Sequence, residues 1–223
     1  MNVLGLDTAT PSTAVALARA DGWLGEARDD VRPGERPRHG QQLLALAAEL
    51  VARAQIEWAA IGCVAVGIGP GGYTGLRIGL ATGHGIALAH GAELVGVGTL
   101  RALAEPVRDQ TAVAVLDARR GQAFIAAYRD GEELIAPRVC QPQELAGLAR
   151  GAGRGALAVG DGALRFQAVL EAHGVEVAPA QSELHRVSAA AVCRLAAVGA
   201  LTAPVPNYLR LADAERAQRT STT

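Results

Sequence analysis

Apolar positions along the chain follow two rhythms, alternating strand-like runs and one-sided helical stripes. Val3 to Leu6 is a short apolar run that breaks at Asp7-Thr8-Ala9-Thr10-Pro11, and Thr13 to Ala18 resumes it before Asp21-Gly22, a pair suited to a tight hairpin turn, and Trp23 to Ala27. Three meandering strands are therefore expected first. Pro33, Gly34 and Pro37, among alternating charges, make Asp29 to Gly40 a loop. A helix from His39 to Ala54 follows, because Leu43, Leu46, Ala47, Leu50 and Ala54 fall on one stripe at helical spacing. Ile61 to Ile68 is continuously apolar, as in a strand covered on both faces, and Gly69-Pro70-Gly71-Gly72 stops it. A second helix from about Thr74 to His90, a strand at Leu94 to Val97, and a short helix capped by Thr99 and ending before Pro106 complete the first half.

The pattern then begins again. Val113 to Ala118 leads into Ala123 to Tyr128, Asp130-Gly131 and Leu134 to Val139, followed by a helix (Pro142 to Ala149), a strand (Leu157 to Gly160) and a helix (Arg165 to Ala172). The aspartates at 7 and 117 lie 110 residues apart, and the turns at 21 and 130 lie 109 apart, which points to a structural duplication. Expected lobes are residues 1–106 and 107–212, with a polar tail, 213–223, expected to be disordered.

At 223 residues, half of them hydrophobic, the chain can bury a sizeable core. All 21 basic residues are arginine, so chemistries that need a lysine, such as a Walker A loop or a Schiff base, are excluded. A formal net charge of −1 gives no field suited to coating a polyanion. The longest apolar run, Ser188 to Val205, is interrupted by Arg194 and Pro204, so no membrane span is expected, and the first seven residues do not resemble a secretory leader. Cys63, Cys140 and Cys193 match neither a zinc spacing nor a disulfide framework, and a reducing cytoplasm is the expected location.

Gly67, Gly69 and Gly72 formally satisfy a dinucleotide fingerprint, with Glu93 beyond them. However, Pro70 removes an amide and Glu93 precedes its strand, so a rigid turn aiming the next helix, with Thr74 as N-cap, is the better reading. In that helix Gly75, Gly79, Gly83 and Ala87 recur every four residues and leave a ridge nearly free of side chains. The ridge packs either on the chain's own sheet or on a partner, and periodicity alone leaves both open. His39, His84, His90, His173 and His185 have no ligand at metal spacing, no serine lies in a nucleophile elbow, and no cysteine has a basic cluster beside it; no catalytic or metal site is expected.

Two lobes, each with three antiparallel strands and then helix, strand and helix, form the two-lobed, duplicated α/β architecture of the actin-like ATPase and sugar-kinase (ribonuclease H-like) fold. In that fold an Asp-centred turn from each lobe faces a nucleotide. Asp7-Thr8-Ala9-Thr10 and Asp117-Ala118-Arg119-Arg120-Gly121 hold those places, but both are poor phosphate turns. Asp7, Thr8 and Thr10 are candidates for a degenerate cofactor site, and a side chain closing its own turn is the equal alternative for Asp7 and Thr10.

Leu4 to Thr10, Gly67 to Ala81, Asp117 to Gly121, Gly160-Asp161-Gly162 and Pro206-Asn207-Tyr208-Leu209-Arg210 together resemble the bacterial TsaB (YeaZ) family. The run Gly-Pro-Gly-Gly-Tyr-Thr-Gly-Leu-Arg-Ile-Gly carries most of this resemblance. It implies a non-catalytic cytoplasmic subunit that binds and activates the larger paralogue TsaD. With the ATPase TsaE, that pair transfers a threonylcarbamoyl group to adenosine 37 of tRNAs reading codons that begin with A. It also implies contact with TsaD, or a homodimer, through the two first-lobe helices, with Leu43, Leu46, Leu50, Thr74, Gly75, Arg77, Gly79, Leu80, Gly83 and Ala87 as partner-binding residues. tRNA contact is expected to be indirect at most, no cofactor is expected, and residual nucleotide binding stays open. The catalytic relative holds metal with a His-x-x-x-His pair; here His39 keeps the first position and Leu43 takes the second. A different class, an active nucleotide-dependent enzyme with Asp7 and Asp117 on metal and phosphate, is the alternative.

Overall fold

The computed structural model describes residues 1–32 and 34–209; Pro33, Arg210 and the tail expected at 213–223 lie outside the described residues. The opening strands β1 (Asn2–Asp7), β2 (Thr13–Ala18) and β3 (Leu24–Asp29) form the expected antiparallel meander. Helix α1 (His39–Arg53) leads to β4 (Ile61–Gly67), which pairs in parallel with β1, and α2 (Tyr73–His90) leads to β5 (Glu93–Val97). After α3 (Thr99–Ala104) the scheme repeats with β6 (Ala112–Asp117), β7 (Ala123–Arg129), β8 (Glu132–Cys140), α4 (Pro142–Gly151) and β9 (Leu157–Val159). Two short helices, α5 (Asp161–Arg165) and α6 (Gln167–Glu171), then β10 (Glu176–Val177) and α7 (Ala189–Ala197) close it. The sheets run β3-β2-β1-β4-β5 and β8-β7-β6-β9-β10, one topology used twice, which makes a two-lobed α/β fold.

Burial explains the layering. Along β1, β2 and β4 alternate side chains face opposite ways, and both faces are covered. Leu4, Leu6, Val15, Leu17, Val64 and Val66 meet Leu43, Ala47 and Leu50 of α1 on the outer face. On the inner face Ala14, Ala16 and Ala65 lie in one cluster with residues of α3, α7 and the second sheet. Small residues permit this close approach: a side chain at Gly5 would lie 2.7 Å from both the Ala189 carbonyl and Cys193 Sγ of α7. α7, from the second half, thus packs on the first sheet, and α3, from the first half, packs on β6 and β7.

Several expectations change. α2 begins at Tyr73 with Gly72 as its N-cap, so Thr74 is not the cap; its side chain is exposed on the first turn. Gly98, not Thr99, caps α3, because the Thr99 hydroxyl is committed elsewhere. The segment expected as one helix from Arg165 to Ala172 is divided between α5 and α6, with Phe166 outside the helical backbone region. The glycine ridge packs on the chain's own sheet. A side chain at Gly75 would overlap the Thr8 carbonyl, one at Gly79 the Thr8 hydroxyl and one at Gly83 the Val66 methyl. Ala87, Leu43 and Leu50 are likewise buried in the core beneath the two helices, and Leu46 and Leu80 are half-buried, so of the partner set only Thr74 and Arg77 are exposed. A partner therefore cannot reach the ridge without unfolding this layer.

Two alanine substitutions on α2 separate packing from propensity. Gly75→Ala should destabilise by about 1–3 kcal/mol or more through overlap with backbone. Gly85→Ala, with nothing within 4 Å of the added methyl, should stabilise by roughly 0.5–1 kcal/mol. Urea unfolding of the two variants beside the parent checks both signs.

Candidate functional site

The central strands β1 and β6 end at Asp7 and Asp117, and the space between these ends is a cleft of about 820 Å³. Thr8, Thr10, His39, Tyr73 and Ile78 line its first-lobe wall, and Leu116, Asp117, Arg119, Phe124 and Asp161 line the second. The duplication thus brings both Asp-centred turns to one place.

Asp7 itself does not line the cleft. Its carboxylate is 1% exposed; Oδ1 accepts the Ala9 amide at 2.9 Å and Oδ2 accepts the Thr99 hydroxyl at 3.0 Å. Thr99 Oγ1 in turn accepts the Gly69 amide at 3.0 Å, and the Thr99 amide donates to the Gly69 carbonyl at 2.9 Å. Gly67 leaves room for this carboxylate, since any side chain there would overlap it. Burial pushes the Asp7 carboxyl up to about 6, against the pull of the Ala9 amide, the Thr99 hydroxyl and the Arg28 charge. The turn-closing alternative therefore describes Asp7. Thr8 Oγ1 donates to the Gly75 carbonyl at 2.8 Å, toward α2, and Thr10 is the one member of the expected cofactor set that lines the cleft without such a bond.

The glycines of the loop after β4 have close-packing tasks. The Gly72 amide donates to the Ala9 carbonyl at 2.7 Å, and a side chain at Gly71 would overlap that same carbonyl. The Gly69 and Gly72 amides are thus both committed to acceptors within the protein. His39 Nδ1 pairs with the Thr13 hydroxyl at 2.8 Å; burial lowers its pKa and the Asp29 charge opposes this.

On the second lobe, Asp117 Oδ1 accepts the Arg119 amide at 2.8 Å and Oδ2 accepts Arg165 Nη1 at 3.1 Å. Asp161 accepts the Asp117 amide at 3.0 Å. Its carboxyl is held above the usual range, by burial first and also by the Asp117 charge; the Asp117 and Gly162 amides and Arg119 pull the other way. A metal-bridged nucleotide, which the fold would imply, does not fit these residues, because one aspartate is sealed behind Thr99 and the other is neutralised by arginines. Among the described residues no group of three His, Cys, Asp or Glu side chains could hold a metal.

Sequence reasoning did not anticipate the aromatic rim. Tyr73 and Tyr208 stack with centroids 4.8 Å apart, the Arg77 guanidinium lies 4.0 Å from the Tyr73 centroid, and Arg77 Nε donates to the Tyr208 hydroxyl at 3.1 Å. The Pro206–Arg210 motif was the available signal; its Asn207 amide donates to the Ile68 carbonyl at 2.8 Å, and its Arg210 lies outside the described residues.

Residues 33–218 match the family model of TsaD, tRNA N6-adenosine threonylcarbamoyltransferase. The tRNA threonylcarbamoyladenosine biosynthesis protein TsaB of Escherichia coli is 32% identical over 139 residues, 60% of this chain and 58% of that protein. With 40% of a Mycobacterium leprae relative covered as well, the chain spans about half the length of the curated relatives it matches. A crystal structure from Pseudomonas aeruginosa, described as an uncharacterized protein with similarity to peptidase YeaZ, superimposes with a TM-score of 0.74 at 25% identity over 94% of this chain and 99% of that one. The ethanolamine utilization protein EutJ of Carboxydothermus hydrogenoformans shares the fold, with a TM-score of 0.54 at 16% identity over 86% of this chain and 90% of that one.

The Asp7 environment gives a pH dependence of known sign. A carboxyl raised from 3.8 to about 6 favours the fold most when protonated, so its favourable contribution is full below pH 3.8 and lost as pH rises through 6. Between pH 7 and pH 4 the parent should gain about 2 kcal/mol relative to Asp7→Asn. Urea unfolding of both proteins across that range measures the difference.

Proposed function

Because this chain belongs to the TsaD family of tRNA N6-adenosine threonylcarbamoyltransferases, within its TsaB/YeaZ group, we propose that it acts in tRNA threonylcarbamoyladenosine biosynthesis as a non-catalytic subunit that binds and activates a TsaD-type enzyme. The modification falls on adenosine 37 of tRNAs reading codons that begin with A. A TsaE-type ATPase belongs to the same assembly, a homodimer forms when the partner is lacking, and tRNA is contacted indirectly at most. No helix among the described residues is long and apolar enough to cross a membrane, and the reading places the protein in the cytoplasm.

The outward face of the α1–α2 layer carries this reading. Arg77 is the one Asp, Glu, Lys or Arg residue on α2, Leu88 and Leu44 stand 78% and 55% exposed, Ala45, Ala48 and Ala81 are exposed, and the Glu49–Arg53 pair is the charge on α1. A helix pair with its inner side fully packed and its outer side this apolar is suited to a second protein. Mechanistically, the bound subunit would favour one arrangement of the partner's lobes, as a ligand favours one state of an equilibrium. The commitment of Asp7 and Asp117 to protein partners supports a non-catalytic role.

Light scattering after size-exclusion chromatography should show a mixed complex with the TsaD-like paralogue of the same genome. Leu88→Glu should weaken it at least tenfold, about 1.4 kcal/mol, with urea stability within about 0.5 kcal/mol of the parent. Reconstituted tRNA modification should fall in parallel. Unchanged binding by Leu88→Glu would move the interface elsewhere, and no complex at tens of micromolar would overturn the role.

A further inference from the structure

His185 is buried at the end of a short turn of 3-10 helix, Glu183–His185, shortly before the chain enters α7. Both of its ring nitrogens meet backbone carbonyls. Nδ1 stands 2.9 Å from the Gly160 oxygen, and Nε2 stands 3.0 Å from the Ala178 oxygen and 3.2 Å from that of Pro179. A carbonyl oxygen can only accept, and two of these three already do so: Gly160 takes the Ala163 amide at 3.1 Å and Pro179 the Ser182 amide at 2.8 Å. A neutral imidazole has a single N–H, so in either tautomer a ring lone pair would point at an oxygen 2.9 or 3.0 Å away. The imidazolium satisfies all three contacts. His39, also buried, is under no such constraint, because its partner is the Thr13 hydroxyl, which can donate or accept.

The charged residues on the elements around the ring are engaged elsewhere. Asp161 of α5 accepts the Asp117 amide, Arg165 pairs with Asp117, Arg186 pairs with Glu183 and Asp30, and Glu176 of β10 is exposed. Burying a cation without a carboxylate is costly, and charge-assisted bonds to three carbonyls are what offsets that cost here. These bonds converge on a corner of the cleft. Gly160 follows β9 and is the N-cap of α5, at a φ of +104° that suits glycine; a side chain there would overlap the Val115 carbonyl of β6. The next residue, Asp161, lines the cleft. Two carbonyls stand at Nε2 and one at Nδ1, so a ring reduced to one proton keeps it on Nε2 and turns a lone pair on Gly160.

We propose that His185 is a proton-operated latch: doubly protonated in the folded chain at neutral pH, it ties the β9–α5 corner to the segment after β10, and loss of its Nδ1 proton frees that corner and the Asp161 wall of the cleft. A histidine kept only for packing would carry one proton and leave the corner unchanged as pH rises.

Long-range proton–nitrogen correlation spectra of the nitrogen-labelled chain read the two ring nitrogens directly, and comparison with His185→Gln assigns them. Should His185→Gln fail to fold, replacing His39, His84, His90 and His173 by Gln one at a time assigns the ring by elimination. At pH 7.5, where a free histidine side chain is about nine-tenths neutral, both His185 nitrogens should still carry protons. As pH is raised further, loss of the Nδ1 proton should lower the hydrogen-exchange protection of the Ala163 amide, which donates to the same Gly160 carbonyl, at least tenfold and with the same midpoint, after correction for the intrinsic pH dependence of exchange. Asp161→Asn removes the carboxyl of this corner and should leave that coupling in place. A ring with a single proton at the starting pH, a ring that keeps both protons until the chain unfolds, or Ala163 protection that stays level while the ring titrates would each overturn the latch.

Discussion

One buried carboxylate sets the terms for the cleft end of the first lobe. Asp7 cannot stay ionised in the interior unless donors surround it, and the Ala9 amide and Thr99 hydroxyl are those donors. Supplying them brings three separate segments together: the turn after β1, the glycine loop after β4 and the start of α3. Gly67 must lack a side chain, Gly69 must reach Thr99, and α2 starts where the loop leaves it, with its glycines against Thr8 and Val66. An acid that elsewhere in this fold would face a ligand has become a keystone of packing.

The second lobe treats the equivalent position differently. Asp117 also closes its own turn, through the Arg119 amide, but it stays at the cleft surface and is neutralised by Arg165 and Arg119. The duplication preserved topology while the two aspartates diverged, one toward burial and one toward ion pairing. Both routes withdraw negative charge from the space between the lobes.

Much of this was legible in the chain. The meander, the stripe of α1, the apolar β4 and the repeat at an offset of about 110 residues are local patterns, and local patterns survive folding. What periodicity could not decide was which neighbour a given face meets. The glycine ridge of α2 reads the same whether a sheet or a partner lies against it, and Thr8 and Val66 are the residues that settle it. Thr74 and Thr99 have the composition of caps, yet Thr99 is the first residue of its helix and Thr74 the second, and Gly98 and Gly72 hold the cap positions. Ala189–Ala197 of α7 is short and carries one charged residue, Arg194, among small apolar ones, so its period is weak in the sequence.

The chain's path also orders its own assembly in time. α7 covers the inner face of the first sheet, Thr202 extends the edge of β5 by pairing with Gly96, and Asn207 and Tyr208 pin the glycine loop and the first turn of α2. The lobe that is made first is therefore completed by residues from the second half of the chain. Until α7 has been synthesised, the inner face of β1 and β2 lacks its cover, and the nascent first half is a sheet with one exposed apolar side.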